Sequence, residues 1–136
     1  MDLHDKKEVH QTTKNKHFSQ SLHHALDGLN VAFREEKNLR RDAVFTLLVV
    51  IAGIILRVTC FEWGMLILAI SLVVISEMWN TVIENVMDVI TNKKYSLHAK
   101  KIKDISAGTV LLAALFAVII GLYVFIPHIV LIFKAR

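Results

Sequence analysis

Three long apolar runs follow a polar front. Residues 43–56 carry no charge, and Arg57 stands just before Val58-Thr59-Cys60-Phe61. Residues 63–76 form a second uncharged run, which Glu77 and the residues after it extend. Residues 105–133 form a third, 29 residues without Asp, Glu, Lys or Arg. A membrane-spanning helix needs about 20 apolar residues. The third run meets that outright; the first two meet it once a charged residue is accepted at or near an end. The pattern predicts spans at about 43–61, 63–90 and 105–132. In the front, residues 1–16 are charged and His-rich without periodicity, and a disordered tail is expected there. Phe18, Leu22, Ala25, Leu26, Leu29 and Phe33 then recur at helical spacing, with Gln20, His23, Asp27, Asn30 and Arg34 between them. That predicts an amphipathic helix over about 17–35, lying on the membrane surface or packed on the bundle through the same face. The expected fold is an all-α integral membrane domain over 17–136, a surface helix plus three spans.

Composition agrees. Of 136 residues, 54% are hydrophobic, whereas a soluble domain is about 45–50% apolar even with Gly counted. A soluble bundle is the alternative, but a 29-residue apolar run is greasy on every face, and a chain this short cannot cover it. The front lacks the apolar segment of a cleaved signal peptide. The single cysteine, Cys60, excludes a disulfide framework within the chain and a cysteine-based zinc site. A formal charge of +4 could indicate nucleic acid, but its distribution argues otherwise. Lys93, Lys94, Lys100, Lys101 and Lys103 lie between the second and third runs, and Arg57 alone lies between the first and second. Positive-inside bias places the N-terminus and the 91–104 loop in the cytoplasm, and the 57–62 turn and C-terminus outside. The charge is mostly a topology signal, and no nucleic-acid partner is expected.

The second run ends on Glu77-Met78-Trp79-Asn80-Thr81-Val82-Ile83-Glu84-Asn85-Val86-Met87-Asp88. On a helix of about 100° per residue, Glu77, Asn80, Glu84 and Asp88 fall within an arc of roughly 80°. Three carboxylates and an amide thus share one stripe of an apolar helix. Glu77 lies roughly 21 Å along the axis from Trp63, and Glu84 roughly 31 Å, near the boundary of a ~30 Å hydrocarbon core. Ionisable groups inside a span are costly and are functional candidates. A neighbouring Lys or Arg could neutralise one isolated Glu; a stripe of like charges is more naturally held by a divalent cation, and oxygen donors point to Mg²⁺. Two further clusters, Arg34 to Asp42 and Ala99 to Asp104, fall on the same expected cytoplasmic side. The first could be a solvated run of helical charge pairs, and topology alone explains the basic residues of the second. His128, beside Pro127, is expected at the outer interface. Carboxylates for Mg²⁺, lysines for phosphate and a deeper Glu for a lipid hydroxyl suit phosphoryl transfer. No Gly-rich nucleotide motif is present. From the residues alone one reaches a membrane-embedded Mg²⁺ site facing the cytoplasm, without the reaction.

These segments resemble the small bacterial diacylglycerol kinase family, and most of all its Gram-positive branch of undecaprenol kinases. The hallmark Glu-x-x-Asn-[Ser/Thr]-Ala-Ile-Glu-x-x-x-Asp stands here at 77–88, with Val82 for Ala. Glu36-Lys37-Asn38-Leu39-Arg40 is similar to the family's Glu-x-Asn-x-[Arg/Lys], and Ala99 to Leu111 to its Ala-Lys-x-x-Lys-Asp-x-x-Ala-Gly-x-Val-Leu. The resemblance covers about 17–126. It implies an ATP-dependent, Mg²⁺-assisted kinase of a lipid alcohol, undecaprenol first and diacylglycerol as the alternative, working as a homotrimer in the cell membrane. It implies Glu77 as general base, Glu36 and Glu84 as metal and nucleotide ligands, and Asn38, Arg40, Asn80 and Asp88 as shapers of the site. Nucleotide contacts are implied at His24, Tyr95, Lys103 and Asp104. His24 stands where an aromatic is common, and Tyr95-Ser96-Leu97-His98 replaces the frequent aromatic–His–Pro. A small ion- or proton-conducting oligomer is the reading from a different class.

Overall fold

The computed structural model describes residues 18–134; the expected tail at 1–16 lies outside them. All described secondary structure is helical: α1 (Phe18–Glu35), α2 (Lys37–Leu56), α3 (Cys60–Thr91) and α4 (Leu97–Lys134). The chain divides into two units, residues 1–31 and 32–136. In the first, α1 is strongly amphipathic, and Phe18, Leu22, Leu26 and Leu29 leave their apolar side chains exposed.

In the second unit, local chemistry sets the helix ends. Arg57 takes the left-handed conformation (φ 53°, ψ 48°), its N–H donates to Ile54 O at 3.2 Å, and the Val58 N–H donates to Gly53 O at 3.1 Å. This is a Schellman stop, and Val58 is buried beneath it. Thr59 then opens α3 with a reciprocal capping box. Its hydroxyl accepts from the Glu62 N–H, and the Glu62 carboxylate accepts from the Thr59 N–H at 2.7 Å. A second Schellman stop closes α3, with Asn92 left-handed and Lys93 N–H donating to Asp88 O at 2.9 Å. Ser96 Oγ accepts the Ala99 N–H at 3.4 Å and caps α4.

Two helices, α3 and α4, are long and apolar enough to cross a membrane among the described residues. The expected first span differs. Arg40, Arg41 and Asp42 occupy the opening turns of α2, the helix stops at Leu56, and the 57–61 segment belongs to a turn and the start of α3. The apolar part of α2 is 14 residues, or about 21 Å.

Helices α3 and α4 run antiparallel. Leu66 and Ala69 pack on Ile120 and Val124, with Val58 and Trp63 completing the core. The Glu62 carboxylate meets His128 Nε2 at 3.1 Å at one end of the pair, and Asp88 meets Lys103 at the other. The 26 residues from Glu62 to Asp88 extend about 39 Å, so these polar pins bracket a stretch somewhat longer than a ~30 Å hydrocarbon core. His128 was expected as an interfacial residue; its partner in Glu62 is new. Many large side chains between the pins face outward, among them Leu68, Ile75, Leu112 and Ile119, as lipid or a second chain requires.

Candidate active site

The stripe on α3 forms as its periodicity implies, and burial sorts its members. Glu77 and Asn80 are 4% and 5% exposed, while Glu84 and Asp88 are half-buried. A carboxylate and an amide this deep in an apolar helix need partners. The Asn80 amide donates from Nδ2 to Glu84 Oε1 at 3.1 Å, and its Oδ1 is buried with no hydrogen-bond donor. An orphaned acceptor beside two carboxylates is a place for a donor or cation brought by a ligand.

Helix α2 supplies the opposite wall. Arg41 donates to Asn38 Oδ1, and the Asn38 side chain lies close enough to the Glu77 carboxylate to act on it. Asp42, one turn on, and Arg41 lie close enough to act on Glu77 through their charges, as does Glu84. Burial raises the Asp42 carboxyl above its ordinary range, and the nearby Arg41 partly offsets this. Asp42 was not among the expected site residues. Its spacing from Asn38, one helical turn, was the available signal.

Glu36 sits between α1 and α2 as the N-cap of α2, and its carboxylate makes no cap bond. Among the described residues no hydrogen bond or ion pair joins it to Glu84, and no three His, Cys, Asp or Glu side chains gather closely enough to enclose a metal. Arg40 donates to the Arg34 carbonyl, away from the stripe. His24 lies on α1, in the other unit.

The third cluster forms a groove of about 450 Å³ between the end of α3 and the start of α4. Tyr95, 80% exposed, stands on its wall. Four lysines (93, 94, 100 and 103) face two carboxylates, Asp88 and Asp104. Lys103 pairs with Asp88 across the helices, and Lys100 with Asp104 one turn along α4. The Asp104 hydrogen bond raises the Lys100 ammonium above its usual range. Both carboxylates are thus matched, and Lys93 and Lys94 leave the groove cationic, which suits a polyphosphate. The sequence had marked Lys93 and Lys94 only as topology signals.

The chain matches the prokaryotic diacylglycerol kinase family over residues 23–125. It belongs to that family. It is 36% identical to an undecaprenol kinase of Bacillus subtilis over 118 residues, 87% of this chain and 94% of that protein. It is 36% identical to a diacylglycerol kinase of Synechocystis over 79% of this chain and 61% of that one, and 35% identical to a diacylglycerol kinase of Escherichia coli over 68% and 75%. This chain is therefore a lipid kinase and a membrane protein, with ATP as the donor its family implies. The ion-conducting reading falls away.

Proposed function

We propose that the protein transfers the γ-phosphoryl group of ATP to undecaprenol at the cytoplasmic membrane surface. The observation that carries the reading is Glu77: a buried carboxylate on an apolar helix, close to Asn38 of α2 and one turn from the buried Asn80. The lipid hydroxyl oxygen attacks the γ-phosphorus, the bond to the β-phosphate oxygen breaks, ADP leaves, and Glu77 takes the hydroxyl proton. Asn38 fixes the carboxylate that receives it. Tyr95, Lys103 and Asp104 hold the nucleotide in the groove.

Glu36, Glu84 and the free Asn80 Oδ1 are hard oxygen donors, which fits Mg²⁺ better than a soft metal. When bound, the ion neutralises the charge that develops on the phosphates. Since the described residues of one chain gather no three-carboxylate site, we place the completed site in a homotrimer, whose neighbours cover the exposed apolar faces. The apolar stretches of α2, α3 and α4 then cross the cell membrane, with the N-terminus cytoplasmic.

Undecaprenol is favoured by the similarity over nearly the whole Bacillus protein. The names of the Synechocystis and Escherichia relatives support diacylglycerol as the second substrate. Purified protein with Mg²⁺ and labelled ATP, offered each lipid separately, decides between them: faster labelling of diacylglycerol overturns the assignment. Glu77→Gln should lower kcat by about 10²–10⁴-fold, the range for a lost general base, and full activity in that variant removes Glu77 from the mechanism.

A further inference from the structure

Asp88 poses an electrostatic problem. It is a carboxylate on the wall of a groove otherwise suited to a polyanion, and in isolation it repels the ligand the groove attracts. Its geometry suggests why it is there. The backbone carbonyl of Asp88 accepts the Lys93 N–H at 2.9 Å and so anchors the stop of α3, which holds the residue in place. Its side chain reaches across to Lys103 on α4, and both side chains are partly shielded, at 41% and 32% exposure. A lysine side chain loses much rotamer entropy when it is fixed, so a free Lys103 must be ordered each time a phosphate arrives. Lys100 has a different arrangement, since its partner Asp104 lies on its own helix.

We propose that Asp88 is a positioning residue: it holds the Lys103 ammonium in the groove, ordered before the nucleotide binds. The proposal rests on the groove being the nucleotide site. It predicts an effect opposite in sign to simple electrostatics. Removing a negative charge beside a polyphosphate site strengthens binding if Asp88 merely repels, or if it competes with phosphate for Lys103. If Asp88 aims Lys103, its removal weakens binding.

The test is titration of the full-length protein in detergent with a fluorescent ATP analogue, with Mg²⁺ and again with EDTA. Asp88→Asn is expected to raise Kd about five- to tenfold in both conditions, the scale of a lost charge-assisted contact. Lys103→Met should do the same, and the double variant should be no worse than either single one. Asp88→Glu should recover much of the affinity. The exchange Asp88→Lys with Lys103→Asp rebuilds the pair with the cation on the other helix; it should restore thermal stability without restoring affinity. Unchanged or tighter binding by Asp88→Asn overturns the proposal. So does a loss confined to Mg²⁺, which assigns Asp88 to the metal, and so does recovery of both properties in the exchange, which makes the pair purely structural. Because the readout is binding, a wild-type protein that binds the analogue but phosphorylates no lipid alcohol defeats the proposed function while the pair is still judged. A wild type that binds no analogue overturns both.

Discussion

Gly53 offers a quantitative test of the packing of α2 on α3. A Cβ placed on Gly53 would lie 2.7 and 2.9 Å from two ring carbons of Trp63, against a normal carbon contact of about 3.5–4.0 Å. The indole is part of the core with Val58, Leu66 and Val124 and has little freedom to move aside. Overpacking of this kind costs about 1–3 kcal/mol. The same change gains up to about 1 kcal/mol of helix propensity, so Gly53→Ala should be destabilising by up to about 2 kcal/mol. Gly64→Ala, with no atom within 4 Å of its new Cβ, should keep the propensity gain, so the two variants should differ by about 1–3 kcal/mol. Equilibrium unfolding in detergent, followed by helical circular dichroism, measures both. Replacing Trp79 by Phe leaves Trp63 as the only tryptophan, whose fluorescence reports the contact directly. Trp63→Phe should relieve the clash, so the double variant should be more stable than additivity predicts. Equal stability of the Gly53 and Gly64 variants, with no coupling to Trp63, refutes the packing.

Other outcomes follow from the same geometry. Arg57 holds a left-handed backbone at φ 53°, so Arg57→Gly should raise stability by about 1 kcal/mol in the same unfolding assay. Replacing Lys93 and Lys94 by Gln should raise KM for ATP several-fold, leave kcat nearly unchanged and flatten the salt dependence of KM, because among the described residues no carboxylate of the groove pairs with these lysines. The Asp42 carboxyl is raised by burial, so between its unfolded and folded values the folded state binds more protons. That contribution to stability is present at acid pH and is lost as pH rises through the folded value. Asp42→Asn should therefore reduce the fall in melting temperature between mildly acidic and neutral pH.

The sequence by itself determined what is local. Apolar runs and 3.6-residue spacing placed α1, α3 and α4, and the Glu77–Asp88 stripe was readable because helical period alone puts those residues on one face. The capping box of Thr59 and Glu62 starts a helix inside a stretch that hydropathy treated as continuous over 43–61. Hydropathy counts side chains and does not register a left-handed backbone at Arg57. Pairings between helices were decided by the tertiary structure. Which lysine meets which carboxylate depends on the antiparallel register of α3 and α4, set by packing of Leu66 and Ala69 against Ile120 and Val124. The same holds for Asp42, an ordinary member of a charge cluster until α2 turns it toward Glu77. For His128 and Glu62, 66 residues apart, nothing in either local sequence names the other. Periodicity assigns a residue to a face of its own helix; only the packed helices decide what that face meets.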